Sequence, residues 1–264
     1  MTLLLRRIRT FLSVYNALMT EMRAEILLWM LATTFPLIMM GVWYQAAEGG
    51  TFGLTAAAFA QYFTAVFIVR QLTIVWVIYE FEGDVLQGRL SPYLLQPIDP
   101  VWRYFAQHTA ERFTRLPFMA VLVAGLLLFV PATRWQLTIE ALLLGMLVTY
   151  LAFMLRFAIQ YTFALLAFWT ERAVAVENLW FLVYFFLSGL LAPLDMYSPA
   201  MRTIALCTPF PYMLYLPAQA LLGREPPIAW PWVLIILVGW ITLFVVINRL
   251  LWRAGLKRYS AMGA

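Results

Sequence analysis

The chain has 264 residues, of which 64% are hydrophobic and only 12% charged, whereas soluble globular proteins run near ~45–50% and ~25%. So little charge cannot clothe a soluble protein of this length, and the apolar residues arrive in long blocks that make lipid the expected solvent. A net charge of +5 would suggest nucleic acid as the partner of a soluble chain; here the basic residues track the ends of apolar spans, so no nucleic-acid partner is expected.

The first segment, residues 1–24, reads as an amphipathic helix. Leu4, Ile8, Phe11, Leu12, Tyr15, Leu18, Met19 and Met22 recur at steps of three and four, while Arg6, Arg7, Arg9, Ser13 and Asn16 fall elsewhere on the wheel. That pattern suits a helix lying in the membrane interface with its arginines toward headgroups; an ordinary surface helix is the plainer alternative. With no continuous apolar core and no small-residue cleavage site, it does not read as a signal peptide.

A spanning helix needs ~20 mostly apolar residues. Candidates follow at Ile26 to Gln45, Leu54 to Tyr79, Leu116 to Val130, Leu137 to Trp169, Leu179 to Leu191 and Trp230 to Ile247. The stretch from Ala200 to Leu222 is apolar but carries Pro209, Pro211, Pro217 and Arg202. Prolines break a continuous helix, so short re-entrant helices are expected there, between the fifth and sixth spans, rather than a seventh span. Charge supports this choice. Six spans with both termini cytoplasmic place 13 of the 18 basic residues inside, against Arg134, Arg202 and Arg224 outside. A seventh span would move Arg249, Arg253, Lys257 and Arg258 outside, against the positive-inside bias. The expected fold is therefore an all-α membrane protein of one domain, 1–264. It has an interfacial helix, a six-span bundle over 25–252 and a cytoplasmic tail over 253–264, and it sits multi-pass in the cytoplasmic (inner) membrane.

Chemistry is sparse. The only lysine is Lys257 and no GxxxxGK[ST] phosphate loop occurs, so ATP hydrolysis by this chain is not expected. The only histidine, His108, makes an HxxE pair with Glu111, which falls short of the three protein ligands of a catalytic zinc. A structural or headgroup role suits it better. No catalytic residue and no metal ligand is assigned. The single cysteine, Cys207, cannot form an internal disulfide.

The most informative segment runs from Glu80 to Pro100. Phe81, Val85, Leu86, Leu90, Tyr93 and Leu94 sit at roughly helical spacing, with Glu80, Glu82, Asp84 and Arg89 on the remainder. Pro92 breaks or restarts the helix, and Pro97 and Pro100 stop it. It reads either as a docking knob for a soluble partner or as a helix covering headgroups; its three acids favour the partner over an anionic membrane. Within the spans, Arg70 and Gln71 on the second and Arg156 and Gln160 on the fourth are the polar residues of note. Buried arginine costs ~2.5–3.5 kcal/mol or more and demands a partner, and no acid is evident at the same depth. They suggest either a polar permeation path or an anionic site, or a structural pairing with an acid on a second subunit.

Several segments resemble the type-2 ABC export permeases. They are Gly88-Arg89-Leu90, then Tyr93-Leu94-Leu95 and Pro97; Ser188 to Leu194 with Pro209-Phe210-Pro211-Tyr212 and Pro217; and the closing run Trp252 to Gly263 with Gly255 and Tyr259. The resemblance implies an exporter permease without catalytic residues of its own. It would couple to a separate ATP-binding cassette subunit, which carries ATP and Mg, through Glu80, Glu82, Asp84, Leu86, Gly88, Arg89, Leu90 and Leu94. It also implies a second permease subunit, usually a different chain and otherwise a second copy. A stand-alone secondary transporter or channel is the alternative. The apolar, aromatic spans suit an amphipathic or lipid-like cargo.

Overall fold

A computed structural model describes residues 10, 13–14, 17, 21, 23–50 and 53–262. The expected N-terminal interfacial helix falls largely outside the described residues. Among those described, twelve α-helices are joined by turns and short 3-10 segments, with no strand. Four runs are long and apolar enough to cross a membrane: Ala56–Leu86, Pro100–Phe129, Ile139–Phe168 and Trp230–Tyr259.

Helices α1 (Arg23–Ala32) and α2 (Phe35–Glu48) occupy the first predicted span. They are separate because Pro36, in the first turn of α2, has no N–H to continue the ladder of α1. Thr33 and Thr34 turn their hydroxyls back onto Met30 and Leu31 carbonyls at 2.9 and 2.7 Å, using groups the break would otherwise orphan. Helix α3 (Ala56–Thr73) starts at Thr55, whose hydroxyl accepts the Ala58 N–H at 3.1 Å. Thr73 bonds back to the Val69 carbonyl, a contact that bends helices. Ile74 then goes extended, and α4 (Val77–Leu86) resumes on a new axis. Helix α3 is the centre of the molecule, buried along most of its length; its alanines and phenylalanines admit neighbours on every side.

Helix α5 (Ser91–Leu94) is one turn with Pro92 in its first turn, so the proline restarts the helix, as read above. Helix α6 (Pro100–Phe129) is longer than its predicted span by a stretch that begins at Pro100 rather than Leu116. Asp99 caps it, accepting the Val101 N–H at 3.1 Å, and Pro100 suits a first turn. Arg103, Arg112 and Arg115, which the predicted start at Leu116 leaves in the cytoplasmic loop, are therefore helical residues. Helix α7 (Ile139–Ala164), capped by Thr138, runs into a 3-10 turn at Leu165–Phe168.

Helix α8 (Val174–Leu187) has 14 residues, about 21 Å of rise, short of a ~30 Å hydrocarbon core. Beyond it come α9 (Pro199–Leu206), α10 (Phe210–Met213) and α11 (Tyr215–Leu221). The proline-rich stretch is thus broken into short helices, and every residue of α11 is buried. Finally α12 (Trp230–Met262) continues unbroken through most of the expected tail.

Helix α11 is wedged against α3 and α7. A Cβ on Gly145 of α7 would stand 3.0 Å from the Leu221 Cα, so the missing side chain permits the close approach. Gly189, with φ +88°, turns the chain out of α8; its carbonyl accepts the Tyr62 hydroxyl at 2.8 Å. A Cβ there would run into the Tyr62 oxygen. Gly189→Ala combines left-handed strain with that clash, costing about 2–3 kcal/mol. It is expected to lower the melting temperature by about 5 °C or more, measured by fluorescence size-exclusion after heating.

One end of the bundle carries Arg89, Arg103, Arg172, Arg249, Arg253 and Lys257 and is called the basic end. The far end carries Arg134, Arg202 and Arg224. There Asp195 gathers α9 and α11, accepting from Arg202 at 2.9 Å, Tyr215 at 3.0 Å and Gln219 at 3.1 Å. Trp43 bonds to the Leu191 carbonyl at 2.8 Å and Arg224 to Gln61 at 2.9 Å.

Candidate functional site

Two groups of residues stand out: an exposed turn at the basic end and a buried polar interior behind it. The turn follows from local sequence. Helix α4 ends at Leu86; Gly88, with φ +70°, reverses the chain, a conformation that suits glycine. Its tip is apolar and open. Leu86 is 51% exposed, Leu94 36% and Leu95 88%.

The predicted site residues divide here. Leu86, Gly88, Arg89 and Leu94 face outward, but Leu90 is fully buried with Phe81 and Val85. The three acids are tied within the chain: Asp84 is buried, and Glu80 and Glu82 are half-buried. Asp84 accepts Arg89 Nε at 2.8 Å and the Tyr104 hydroxyl at 2.7 Å. Glu82 accepts the N–H of Val174, the first residue of α8, at 2.7 Å, capping that helix from another element. Glu80 accepts Gln107 Nε2 at 2.8 Å and lies 3.6 Å from His108 Nε2. A turn projecting from a bundle needs its root tied down: Glu82 does so at an orphan backbone N–H, Asp84 and Glu80 through side-chain donors.

The turn is also tied to α12. Ser91 and Tyr259 hydroxyls are 2.9 Å apart, and Arg249 pairs with Asp99. Arg103 lies over the Tyr93 ring at 3.5 Å. Phe81 packs edge-on against Tyr104, Tyr161 and Phe168 at 5.7, 5.6 and 5.5 Å. The turn and its root thus contact α6, α8 and α12 as well as α4.

A network that spacing alone did not assemble runs inward from Glu80. His108 Nδ1 is 3.4 Å from Glu111, Arg115 pairs with Glu111, and Arg115 donates to Gln71 Oε1 at 3.3 Å. Gln71 donates to Thr33 Oγ1 at 3.0 Å and to the Met30 carbonyl at 3.3 Å. Arg115 is 1% exposed and His108 1%. The chain of contacts joins α1, α3, α4 and α6. Its signal was present as His108, Glu111 and Arg115 on one stripe of a helix, but Arg115 stood beyond the predicted start of the span. Among the described residues, no group of three His, Cys, Asp or Glu side chains is placed to hold a metal.

The four intramembrane polar residues separate likewise. Gln71 joins the network above, because successive helical residues point ~100° apart. Arg70 instead stands beside α8, its guanidinium 6.0 Å from the Phe181 ring centroid. Arg156 Nη1 donates to the Tyr184 hydroxyl at 3.1 Å. Gln160 donates to Glu177 of α8 at 2.6 Å. Glu177 is thus the acid near these spans; it stood just outside the predicted fifth span and was missed for that reason.

An all-helical chain with apolar runs of spanning length, short proline-broken helices and an exposed apolar turn at one end has the parts of a transport permease. A family model described as ABC-2 family transporter protein matches residues 27–263. The chain belongs to this family. Neither a curated protein nor a solved structure matches it. It is an ABC-2-type permease, a multi-pass membrane protein of transmembrane transport, and the match covers every element named above except the first residues of α1. Family membership in general brings an ATP-binding cassette partner.

Proposed function

We propose that this ABC-2 permease is the translocating subunit of an ATP-driven exporter in the cytoplasmic membrane, and that the Leu86–Pro97 turn docks a separate ATPase subunit. The observation that carries this reading is the exposed Leu86, Leu94 and Leu95 tip on a root fixed by Asp84, Glu82 and Ser91. A flexible loop would absorb a push from a partner; this one passes it to α8 through Glu82, to α12 through Tyr259, and to α6 through Glu80. ATP and Mg belong to the partner, and this chain contributes no catalytic group.

In this reading the chain crosses six times. The four long runs account for four crossings, the α1–α2 pair for one, and α8 with the turn at Ser188–Pro193 for one. Helices α9 to α11 then re-enter from outside, and α12 returns to the cytoplasm. The basic end is cytoplasmic, as the positive-inside bias requires. A second permease, a different chain or a copy of this one, covers part of the apolar outer surface; exposed Leu179, Leu182 and Phe186 on α8 and Trp232, Ile235 and Val238 on α12 offer such a face to it or to lipid.

Orientation is open to direct test. In a background with the exposed Cys207 replaced by serine, a membrane-impermeant maleimide applied outside should label Arg134→Cys and Glu225→Cys. It should spare Arg89→Cys and Arg258→Cys until the membrane is opened. Labelling of position 258 from outside sinks the six-span arrangement.

A further inference from the structure

Arg70 and Arg156 are 7% and 4% exposed, yet their donors are largely unused. Among the described residues, Arg70 Nε and Nη1 and Arg156 Nε are buried with no hydrogen-bond partner. The groups around them are mostly rings. The Arg70 guanidinium stands 6.0 Å from the Phe181 centroid, and that of Arg156 4.8 Å from Tyr184 and 5.6 Å from Trp180. Aromatic faces hold a guanidinium through cation–π attraction without consuming its N–H groups. The donor edges are therefore positioned and left open. Among the described residues neither arginine forms a salt bridge, and Glu177 accepts from Gln160 at 2.6 Å instead. An uncompensated charge at membrane depth is costly and marks a functional site by default.

Depth narrows the occupant. Arg70 lies about 21 Å along α3 from Ala56, and Arg156 about 26 Å along α7 from Ile139. Both helices start at the far end. In a ~30 Å core, both arginines sit toward the basic end, which is the inner leaflet if the orientation proposed above holds. Phe181 of α8 lies beside the Arg70 guanidinium, and Trp180 and Tyr184 of α8 beside that of Arg156. A small oxyanion at the end of an apolar molecule suits the open donors, the depth and the aromatic lining.

We propose that Arg70 and Arg156, steadied by Trp180, Phe181 and Tyr184, form a buried subsite for the phosphate of an amphipathic molecule at inner-leaflet depth. It deepens the exporter reading and rests on its orientation. The phosphate is borne by a membrane lipid or by a water-soluble ester, and two probes separate these sources.

The intact transporter, in nanodiscs of the phosphate-free lipid digalactosyldiacylglycerol, is offered phosphatidylglycerol in the bilayer or glycerophosphoglycerol in solution. Lipid retention is read by native mass spectrometry and the soluble ester by calorimetry. Whichever probe binds, Arg70→Gln and Arg156→Gln should each weaken it about tenfold, as expected for one lost charge-assisted bond. Arg70→Lys and Arg156→Lys should lose less. No binding of either probe, or equal binding by the wild type and both Gln variants, overturns the proposal. A second measurement starts with both arginines intact: p-benzoylphenylalanine placed at position 181, beside Arg70, is photolysed in native membranes. Because Phe181 is 38% exposed and meets bulk lipid, only crosslinking to phospholipid or to a phosphate-bearing amphiphile that is lost in an Arg70→Gln control supports the site. Crosslinking only to a second polypeptide assigns the charge to a subunit carboxylate and overturns it. Co-purification of an ATPase is scored on the same samples. Binding without an ATPase sinks the exporter reading alone; an ATPase without binding sinks this subsite alone.

Discussion

Leu86→Asp, and separately Leu94→Asp, will leave the permease inserted and folded but detach it from its ATPase. Both side chains are open to solvent, at 51% and 36% exposure, so an aspartate at either position costs the isolated chain little. In the docked complex the same aspartate lies in an apolar contact without a counter-charge. Burying it unpaired costs about 3 kcal/mol or more, which is more than a hundredfold in affinity. The contrast with Leu90 is part of the prediction. Leu90 is fully buried, so Leu90→Asp should fail at folding rather than at docking. The measurements are yield and elution profile of the permease, pull-down of the ATPase, and permease-stimulated ATP turnover. Normal assembly and transport in both exposed variants would show that the ATPase docks elsewhere.

Arg115→Met will unfold the bundle at a markedly lower temperature. Arg115 is 1% exposed, pairs with Glu111 and donates to Gln71. Methionine preserves much of the volume but leaves the Glu111 carboxylate buried beside His108 with its principal counter-charge gone. Breaking a buried pair from one side costs about 3–5 kcal/mol. At ~2–4 °C per kcal/mol for a chain of this size, the melting temperature should fall by about 10 °C. Glu111→Leu on top of Arg115→Met removes the stranded charge, and should recover a large part of the loss, because an apolar pair of similar volume is often as stable as the ion pair it replaces. Thermal stability in detergent, followed by size exclusion, reads both variants. An unchanged melting temperature in Arg115→Met would show that water reaches Glu111.

Several features of this protein were decided by local sequence. Apolar runs too long for a soluble core, with charge too scarce to cover one, required lipid and helices, since every backbone polar group in hydrocarbon must bond within its own helix. The breaks at Pro36 and Pro92 and the short helices around Pro209, Pro211 and Pro217 follow from a missing N–H at each proline. The caps at Thr55, Asp99 and Thr138 are likewise local, because a cap and the N–H it satisfies are neighbours in sequence. Spacing also located the amphipathic element from Glu80 to Pro100, but not its turn at Gly88, which the helical spacing runs through.

What only the tertiary structure decided is which way each polar side chain points. Glu80, Glu82 and Asp84 were legible as acids on an amphipathic element, but not as internal ties to Gln107, Val174 and Tyr104. Gln71 and Arg70 are adjacent in sequence yet serve different clusters. Arg115 looked like a loop charge until α6 proved to begin at Pro100, and Glu177 was excluded by a span boundary two residues away. Each of these outcomes depends on the rotation and offset of one helix against another. That offset is set by packing of the whole bundle, here by the alanines and phenylalanines of α3 and by Gly145 admitting α11. A shift of one residue turns a side chain by ~100°, so helical identity is readable from sequence, while the partners of its charges wait on the packed assembly.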